Sequence, residues 1–396
     1  MARASAIEHR KATQAGSEAI DYDLHGLAGV RLVDATPGDA AAVSRQLGPI
    51  RSPLDREPDI VVRFVDRLPT NRLRYLGAGE AAFTDDAFLV LRSKHKVPAK
   101  VRIPFAEIGD RCEIVCERGL PAVPLLVPIL NLTVLARGAL PLHASAFVYG
   151  GTGVVATGWS KGGKTETLLA FMQRGAEYIG DEWVYVSSEG DRVFGIPEPI
   201  RLWDWHLSQL ADYRALVGRG DRGRLRALRL ALALEGPLDS GASSSSFPLA
   251  RRLGRALPVL KRQLHVDVEP ARLFGERAIA ASAAFDRLFF VVSGESEKVI
   301  VEPIDPQEVA QRMRFSLAYE RLDLAAYYAM FRFAFPGAAS PVLDQAGELE
   351  QGSLERLLAD KPANVVYHPY PVSIAALYDA MRPYCTARVE DDGDNR

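Results

Sequence analysis

The sequence predicts an α/β protein built on a P-loop core, with an N-terminal α+β domain ahead of it. Two observations lead there. Residues Gly158 to Thr165 read G-W-S-K-G-G-K-T, a full match to the phosphate-loop pattern G-x-x-x-x-G-K-(S/T). From Asp21 to about Val115 the chain runs as short β-branched stretches broken by Pro and Gly, the pattern of a small strand-rich domain. The loop also stands in the setting its chemistry needs. Gly153–Thr157 is a short apolar run, and Glu166–Met172 is a helix-forming run with apolar residues at helical spacing. The bare pattern arises by chance in on the order of 1% of chains of this length, and the flanks lower that further.

Each element follows in order. Residues 1–20 read as a flexible polar arm, and 21–120 as the N-terminal domain. Strands are expected at Gly29–Val33, Ile60–Val65, Ala87–Leu91 and Ile114–Val115, with a short helix at Ala40–Gln46. The P-loop domain spans 121–388. Its pattern is helical from Ala122 to Arg137, then a strand at Ala146–Tyr149 turns at Gly150-Gly151 into the strand that delivers the loop. Arg174-Gly175 stops the next helix, and Ala176–Gly180 is a strand ending in Asp181-Glu182. A hairpin is expected around Glu189-Gly190, joining Trp183–Ser187 to Asp191–Gly195. Residues 206–262 form a basic insert, with Arg219, Arg222, Arg224, Arg226 and Arg229 close together, the serine run Ser240–Ser246, and then Arg251, Arg252 and Arg255. Strands resume at Leu288–Val292 and Lys298–Glu302. Helices follow at Pro306–Phe335, Leu354–Leu358 and Ile374–Met381, and 389–396 is an acidic tail expected to be disordered. His368–Pro371 reads as a rigid turn with no chemistry.

Composition narrows the classes of function. The chain has 396 residues, is 48% hydrophobic and 25% charged, and carries a formal net charge of −2. That balance supports a sizeable core and gives no global pull toward nucleic acid or anionic lipid. The longest apolar stretch, Leu120–Leu135, is broken by Pro121, Pro124, Pro128 and Asn131, so no membrane partner is expected. Three cysteines, Cys112, Cys116 and Cys385, make no even framework, and Cys112 and Cys116 read as thiols on a strand. A cytoplasmic location is expected.

The loop implies its ligands. Backbone N–H groups of Gly158, Trp159, Ser160, Lys161, Gly162 and Gly163 would curl around phosphate oxygens, with Glu166 in the first turn of the helix behind them. Lys164, read as exposed in the loop, would reach the β/γ-phosphates of ATP, and the Thr165 hydroxyl would hold Mg²⁺. Asp181 and Glu182 can divide two tasks, one holding the metal and the other taking a proton from an attacking hydroxyl. His143 lies fifteen residues before Gly158, and Asp181 twenty-three after it. The arginines of 219–229 could clamp phosphate or an acidic acceptor tail, or could simply coat a solvated helix. No aromatic residues are interleaved there, so nucleic acid is not an expected partner.

The segment from His143 to Glu182 resembles the catalytic core of bacterial HPr kinase/phosphorylase. The resemblance rests on His143, the turn Tyr149-Gly150-Gly151-Thr152-Gly153, the loop Gly158–Thr165, Arg174-Gly175 and the acid pair Asp181-Glu182, in that order. It implies a P-loop core of the HPr kinase/phosphoenolpyruvate carboxykinase type and ATP-dependent phosphorylation of a serine. By the same resemblance Lys164 stabilises the transferring phosphoryl group and Asp181 is the general base. Asp181, Glu182 and Thr165 attend the metal, and His143 hydrogen-bonds within the carboxylate cluster. Thr165 and Glu182 stand where that family has Ser and Asp, and both keep the ligand chemistry. The Gly-rich signature that follows the acids in the bifunctional enzymes is replaced here by Pro197-Glu198-Pro199 and the basic insert.

The expected function is therefore a Mg·ATP-dependent kinase acting on a serine-type hydroxyl of a protein or peptide, with a homo-oligomer also compatible with the sequence. Two alternatives stay open: a switch NTPase with no phosphorylated acceptor, and a small-molecule kinase.

Overall fold

The computed structural model describes residues 19–69, 73–76, 81–85, 88–92, 98–233, 260–295 and 297–385. The N-terminal arm to residue 18, the stretch 234–259 with Ser240–Ser246, Arg251, Arg252 and Arg255, and the acidic tail lie outside the described residues.

The chain begins with the hairpin β1 (Ile20–Leu24) and β2 (Ala28–Val33), followed by α1 (Pro37–Leu47) and β3 (Ile60–Val65). Next come β4 (Arg74–Leu76), β5 (Ala81–Phe83), β6 (Phe88–Arg92), β7 (Pro98–Arg102) and β8 (Cys112–Glu117). Six of these strands form a mixed sheet in the order β1-β2-β3-β8-β7-β6. The sequence I-V-V-R-F-V of β3 alternates buried and half-buried positions, as a sheet with one packed face requires. α1 begins three residues ahead of the expected Ala40. Thr36 and Asp39 form a reciprocal capping box there, with Pro37 supplying the fixed first turn. Cys112 and Cys116 point inward from β8 as buried free thiols.

After α2 (Leu126–Ala136), β9 (Leu140–Tyr149) starts the second sheet. The expected strand covered only its last four residues, so His143 lies inside a strand and not ahead of one. Pro141 hid the start, and the strand tolerates it because Leu140–His143 pair on one side alone, with Val186–Trp183. Beyond His143 the other edge of β9 pairs with β10 (Thr152–Thr157) across the Gly150-Gly151 turn. α3 (Lys164–Met172), β11 (Glu177–Gly180), β12 (Trp183–Val186), β13 (Arg192–Gly195) and β14 (Ile200–Trp203) follow. The basic insert opens with α4 (Asp204–Gln209), α5 (Ala211–Leu216) and α6 (Arg219–Ala233). β15 (His265–Val268) then returns to pair with β14.

The remaining elements are α7 (Pro270–Phe274), β16 (Ser282–Ala284), β17 (Arg287–Ser293), β18 (Ile300–Pro303), α8 (Pro306–Glu320), α9 (Leu322–Ala334), α10 (Pro341–Leu358), β19 (Ala363–His368) and α11 (Ile374–Met381). The second sheet runs β16-β13-β12-β9-β10-β17-β19-β18, with β11 also on β9. β10, β17 and β19 are mutually parallel, so their C-terminal ends share one edge, and the phosphate loop leaves from that edge. The chain is thus a mixed α/β fold.

Three expectations change here. The single helix Pro306–Phe335 is two, broken at Arg321, whose guanidinium turns to grip both oxygens of Glu350 on α10 at 2.9 Å. The helix expected at Leu354–Leu358 begins at Pro341 with Ser340 as its cap; Gly347 and Gly352 had masked its pattern. β19 was not expected at all.

One hydrophobic core joins the first sheet to α2, α9 and α10. Phe331 of α9 sits at its centre, with ring centroids 5.0 Å from Phe105 and 6.0 Å from Phe83. No helix among the described residues is long and apolar enough to cross a membrane. Phe331→Ala is expected to lower the unfolding free energy by about 3–5 kcal/mol, as truncating a buried aromatic does. Urea denaturation followed by far-UV circular dichroism measures it, and a shift below about 1 kcal/mol would mean that the sheet does not depend on this contact.

Candidate active site

The loop Gly158–Thr165 is pressed against the ends of two strands, which explains its glycines. A Cβ at Gly158 would sit 2.4 Å from the carbonyl oxygen of Val291 on β17. One at Gly163, whose φ is +109°, would sit 2.3 Å from His368 Nε2 at the end of β19. His368 is fully buried and donates from Nε2 to Gly162 O at 2.7 Å, so the supposed rigid turn at 368–371 holds the loop from beneath. Lys164 is the first residue of α3 and is buried at 6% exposure, not exposed as its loop position suggested. Its Nζ donates to Trp159 O at 2.9 Å. Burial lowers its pKa, and the surrounding carboxylates only partly oppose this.

Asp181 and Glu182 come directly after β11, as the sequence predicts, and form the bend that joins it to β12. β11 and β12 both pair with β9, and the two acids interrupt that run opposite Ala144 and Ser145. Glu182 adopts φ +65°, its carbonyl accepts from Ala144 N at 3.2 Å, and pairing resumes at Trp183. The left-handed backbone of Glu182 re-aims side chains that regular pleating would place on opposite faces. Here it brings both carboxylates to the loop. Asp181 is 2% exposed and accepts from Thr165 Oγ1 at 2.9 Å. Burial, and then the charge of Glu182, push its carboxyl up to about 7, against the pull of Thr165 and Lys164.

Glu182 is fixed by His143, whose Nε2 donates to Glu182 Oε2 at 3.0 Å. This hydrogen bond holds the Glu182 carboxyl below its usual range. Glu320, the last residue of α8, places Oε1 2.9 Å from His143 Nδ1 as a close ion pair. Burial disfavours the imidazolium, but the two carboxylates outweigh it and raise the His143 pKa. Thr157, just ahead of the loop, donates to His143 O at 3.0 Å, and Ser145 donates to Lys164 O at 2.8 Å. Strand β9 thus ties the histidine, the loop and the acids together.

These groups face a cleft of about 510 Å³, within the range of small-molecule sites. Ser160 to Glu166, His143, Asp181 and Glu182 line one side; Arg201, Trp203, Trp205 and Tyr370 are among those lining the rest. Glu166 is turned from solvent toward His206. Trp203 N–H donates to His206 Nδ1 at 3.2 Å, so the proton is on Nε2, which donates to Glu166 Oε1 at 3.0 Å. That bond holds the Glu166 carboxyl low although burial pushes it up. Arg201 pairs with Asp267 at 3.1 Å. Trp159 does not line the cleft: half-exposed, it packs tilted against Tyr319 of α8, with ring centroids 5.0 Å apart.

The sequence reading named His143, Lys164, Thr165, Asp181, Glu182 and the loop from Gly158, and the structure brings them together at the cleft except Gly158 and Trp159, which do not line it. It missed Glu320, His206 and His368, which lie far along the chain with no spacing to mark them. The run Trp203-Asp204-Trp205-His206 was the one local signal available.

The donor set fits a magnesium nucleotide. Asp181 Oδ1 is buried with no hydrogen-bond partner, beside the Thr165 hydroxyl. Among the described residues no group of three or more His, Cys, Asp or Glu side chains forms a metal cage. Magnesium suits such a site, since it takes one or two carboxylates and completes its shell with phosphates and water.

No protein-family model matches the chain, and no curated protein does. Among solved structures, the HPr(Ser) kinase/phosphatase from Coxiella burnetii is similar over 42% of this chain and 77% of its own, at 15% identity and a TM-score of 0.22. A likeness of that size establishes neither a fold nor an activity for this chain.

The raised Asp181 carboxyl has a consequence for stability in the metal-free protein. A folded-state pKa of about 7, against about 3.9 for an unperturbed aspartate, means that the fold retains a proton the unfolded chain releases. Stability is therefore lost progressively as pH rises from about 4 to about 7. Asp181→Asn removes that loss. Its Tm is expected to exceed the wild type's by more at pH 8 than at pH 5, read by differential scanning calorimetry. A difference independent of pH would contradict the buried-acid assignment.

Proposed function

We propose that this chain is a Mg·ATP-dependent phosphotransferase of the HPr kinase-like kind, moving the γ-phosphoryl group to a serine-type hydroxyl of a protein or peptide. The observation that carries the reading is Asp181: a buried, partly unsatisfied carboxyl with a raised pKa, in contact with the phosphate-loop threonine. A solvated acidic turn would have none of these properties. A raised pKa suits a group that must take a proton near neutral pH.

The roles follow from position. Backbone N–H groups of 160–165 and the Lys164 ammonium bind the phosphates and balance the charge that develops on them. Thr165 with Asp181 and Glu182 would hold Mg²⁺, which when bound neutralises charge on the β- and γ-oxygens. Asp181 receives the serine proton as the bond from serine oxygen to γ-phosphorus forms and the bond from γ-phosphorus to the bridging oxygen breaks. ADP departs with that electron pair. His143, charged between Glu182 and Glu320, keeps Glu182 ionised and fixed in place, which leaves Asp181 as the acid of the pair that can carry a proton.

Purified variants test this with γ-labelled ATP, Mg²⁺ and serine-containing acceptors drawn from host lysate. Lys164→Ala is expected to abolish label transfer while the circular dichroism spectrum is unchanged. Asp181→Asn should lower turnover by about 10²-fold or more with nucleotide affinity changed far less, as loss of a general base does. Transfer undiminished in Asp181→Asn would remove Asp181 from that role, and unaltered transfer in Lys164→Ala would remove the loop. Rapid phosphate release with no labelled acceptor would favour a switch NTPase.

A further inference from the structure

The helix α6 carries Arg219, Arg222, Arg226 and Arg229, a 3-4-3 spacing that sets all four along one stripe. With Arg214 of α5 they line a cavity of about 460 Å³ whose floor includes Leu207 and Leu225, both buried. Arg229 pairs with Asp204 at 2.8 Å. None of Arg214, Arg219, Arg222 and Arg226 has a carboxylate partner among the described residues. Arg224, which the sequence groups with them, faces elsewhere and donates to the carbonyls of Gln263 and His265. The stretch 234–259 sets Glu235 and Asp239 against Arg251, Arg252 and Arg255, so its composition offers no excess of negative charge. Like charges three and four apart on a helix repel, and here they converge on a concave surface. A ligand rich in anionic groups relieves that repulsion.

We propose that this cavity binds a run of carboxylates, an acidic peptide segment belonging to the acceptor, and anchors it while the acceptor serine reaches the cleft. The link to the acceptor rests on the phosphotransferase reading; the anion site does not. Dimensions fit: ten residues of helix span about 15 Å, the length of four or five residues of extended peptide at about 3.3 Å each. Location fits as well, because Asp204 lines the nucleotide cleft and its ion-pair partner Arg229 lines the cavity. No aromatic side chain among the described residues lines the cavity, so that lining lacks the stacking surface that single-stranded nucleic acid uses.

The test uses the full chain and fluorescence anisotropy at low salt, with fluorescein-labelled octaglutamate and octaglutamine as probes. Octaglutamate is expected to bind and octaglutamine not. The triple variant Arg219→Gln, Arg222→Gln, Arg226→Gln should raise the octaglutamate Kd by about tenfold or more, while binding of a non-hydrolysable ATP analogue moves by less than about twofold. Arg224→Gln, with an exposed side chain turned away, should leave peptide binding unchanged. Unaltered circular dichroism and Tm in the triple variant show that lost charge, not lost fold, is being read. Equal binding of both peptides, full octaglutamate affinity in the triple variant, or displacement of the peptide by less single-stranded oligonucleotide or phosphatidylserine vesicle than unlabelled peptide would overturn the proposal. Octaglutamate binding that survives in Lys164→Ala separates the anion site from the chemistry. If the arginines bind octaglutamate yet an acidic run next to a serine does not improve phosphorylation of that serine, the assignment to the acceptor is wrong.

Discussion

A carboxylate almost without solvent is costly to keep, and the architecture around the phosphate loop is organised by the presence of one at Asp181. A regular strand would send Asp181 and Glu182 to opposite faces of the sheet. The bend opposite Ala144 and Ser145 prevents this, at the cost of a left-handed conformation for Glu182. Once both acids face the loop their charges oppose each other, and the surroundings resolve the conflict unequally. Glu182 gains the His143 hydrogen bond, which holds its pKa low, whereas Asp181 has the Thr165 hydroxyl and a raised pKa. Two adjacent carboxylates with separated tendencies allow Asp181 to carry a proton while Glu182 stays ionised.

The C-terminal end of α8 fixes this arrangement from outside the sheet. Three successive residues reach three different partners. Tyr319 packs against Trp159 of the loop, Glu320 approaches His143, and Arg321 leaves the helix to grip Glu350 of α10. The Arg321–Glu350 pair is largely buried and bidentate, a geometry that specifies orientation more strongly than a surface ion pair. Displacement of α8 would therefore disturb the loop and the His143–Glu182 contact together. The N-terminal sheet shares its core with α9 and α10, so the packing of the first hundred residues bears on how this anchor is set.

What could be read from the sequence was contiguous. The loop motif spells out its own backbone requirement, and the Gly150-Gly151 turn and the alternation of Ile60–Val65 carry their geometry locally. Features that depend on distant partners could not be read. His368 contributes through a hydrogen bond to a residue about two hundred positions earlier, and Glu320 acts through a histidine on the far side of the loop. The break at Arg321 carries no Gly or Pro, because its cause is Glu350 and not local propensity. The reverse error occurred at Pro141, Gly347 and Gly352, where residues that usually end elements sit inside them. A one-sided strand edge lets Pro141 stay, and a capped eighteen-residue helix tolerates the two glycines. The acid pair follows its strand as the sequence predicts, whereas the left-handed conformation of Glu182 that re-aims it has no signature in one sequence.

The measurement that tests the central claim most directly is the fate of the γ-phosphoryl group. The purified protein is incubated with γ-labelled ATP and Mg²⁺, with and without a serine-bearing acceptor, and label is partitioned between inorganic phosphate and an acid-stable ester. With positioning as the main source of rate, hydrolysis is predicted to be slow without acceptor. With acceptor, the label should appear on the serine oxygen, and Asp181→Asn should suppress that product selectively. Fast release of inorganic phosphate that no acceptor diverts into an ester, and that persists in Asp181→Asn, would contradict the account.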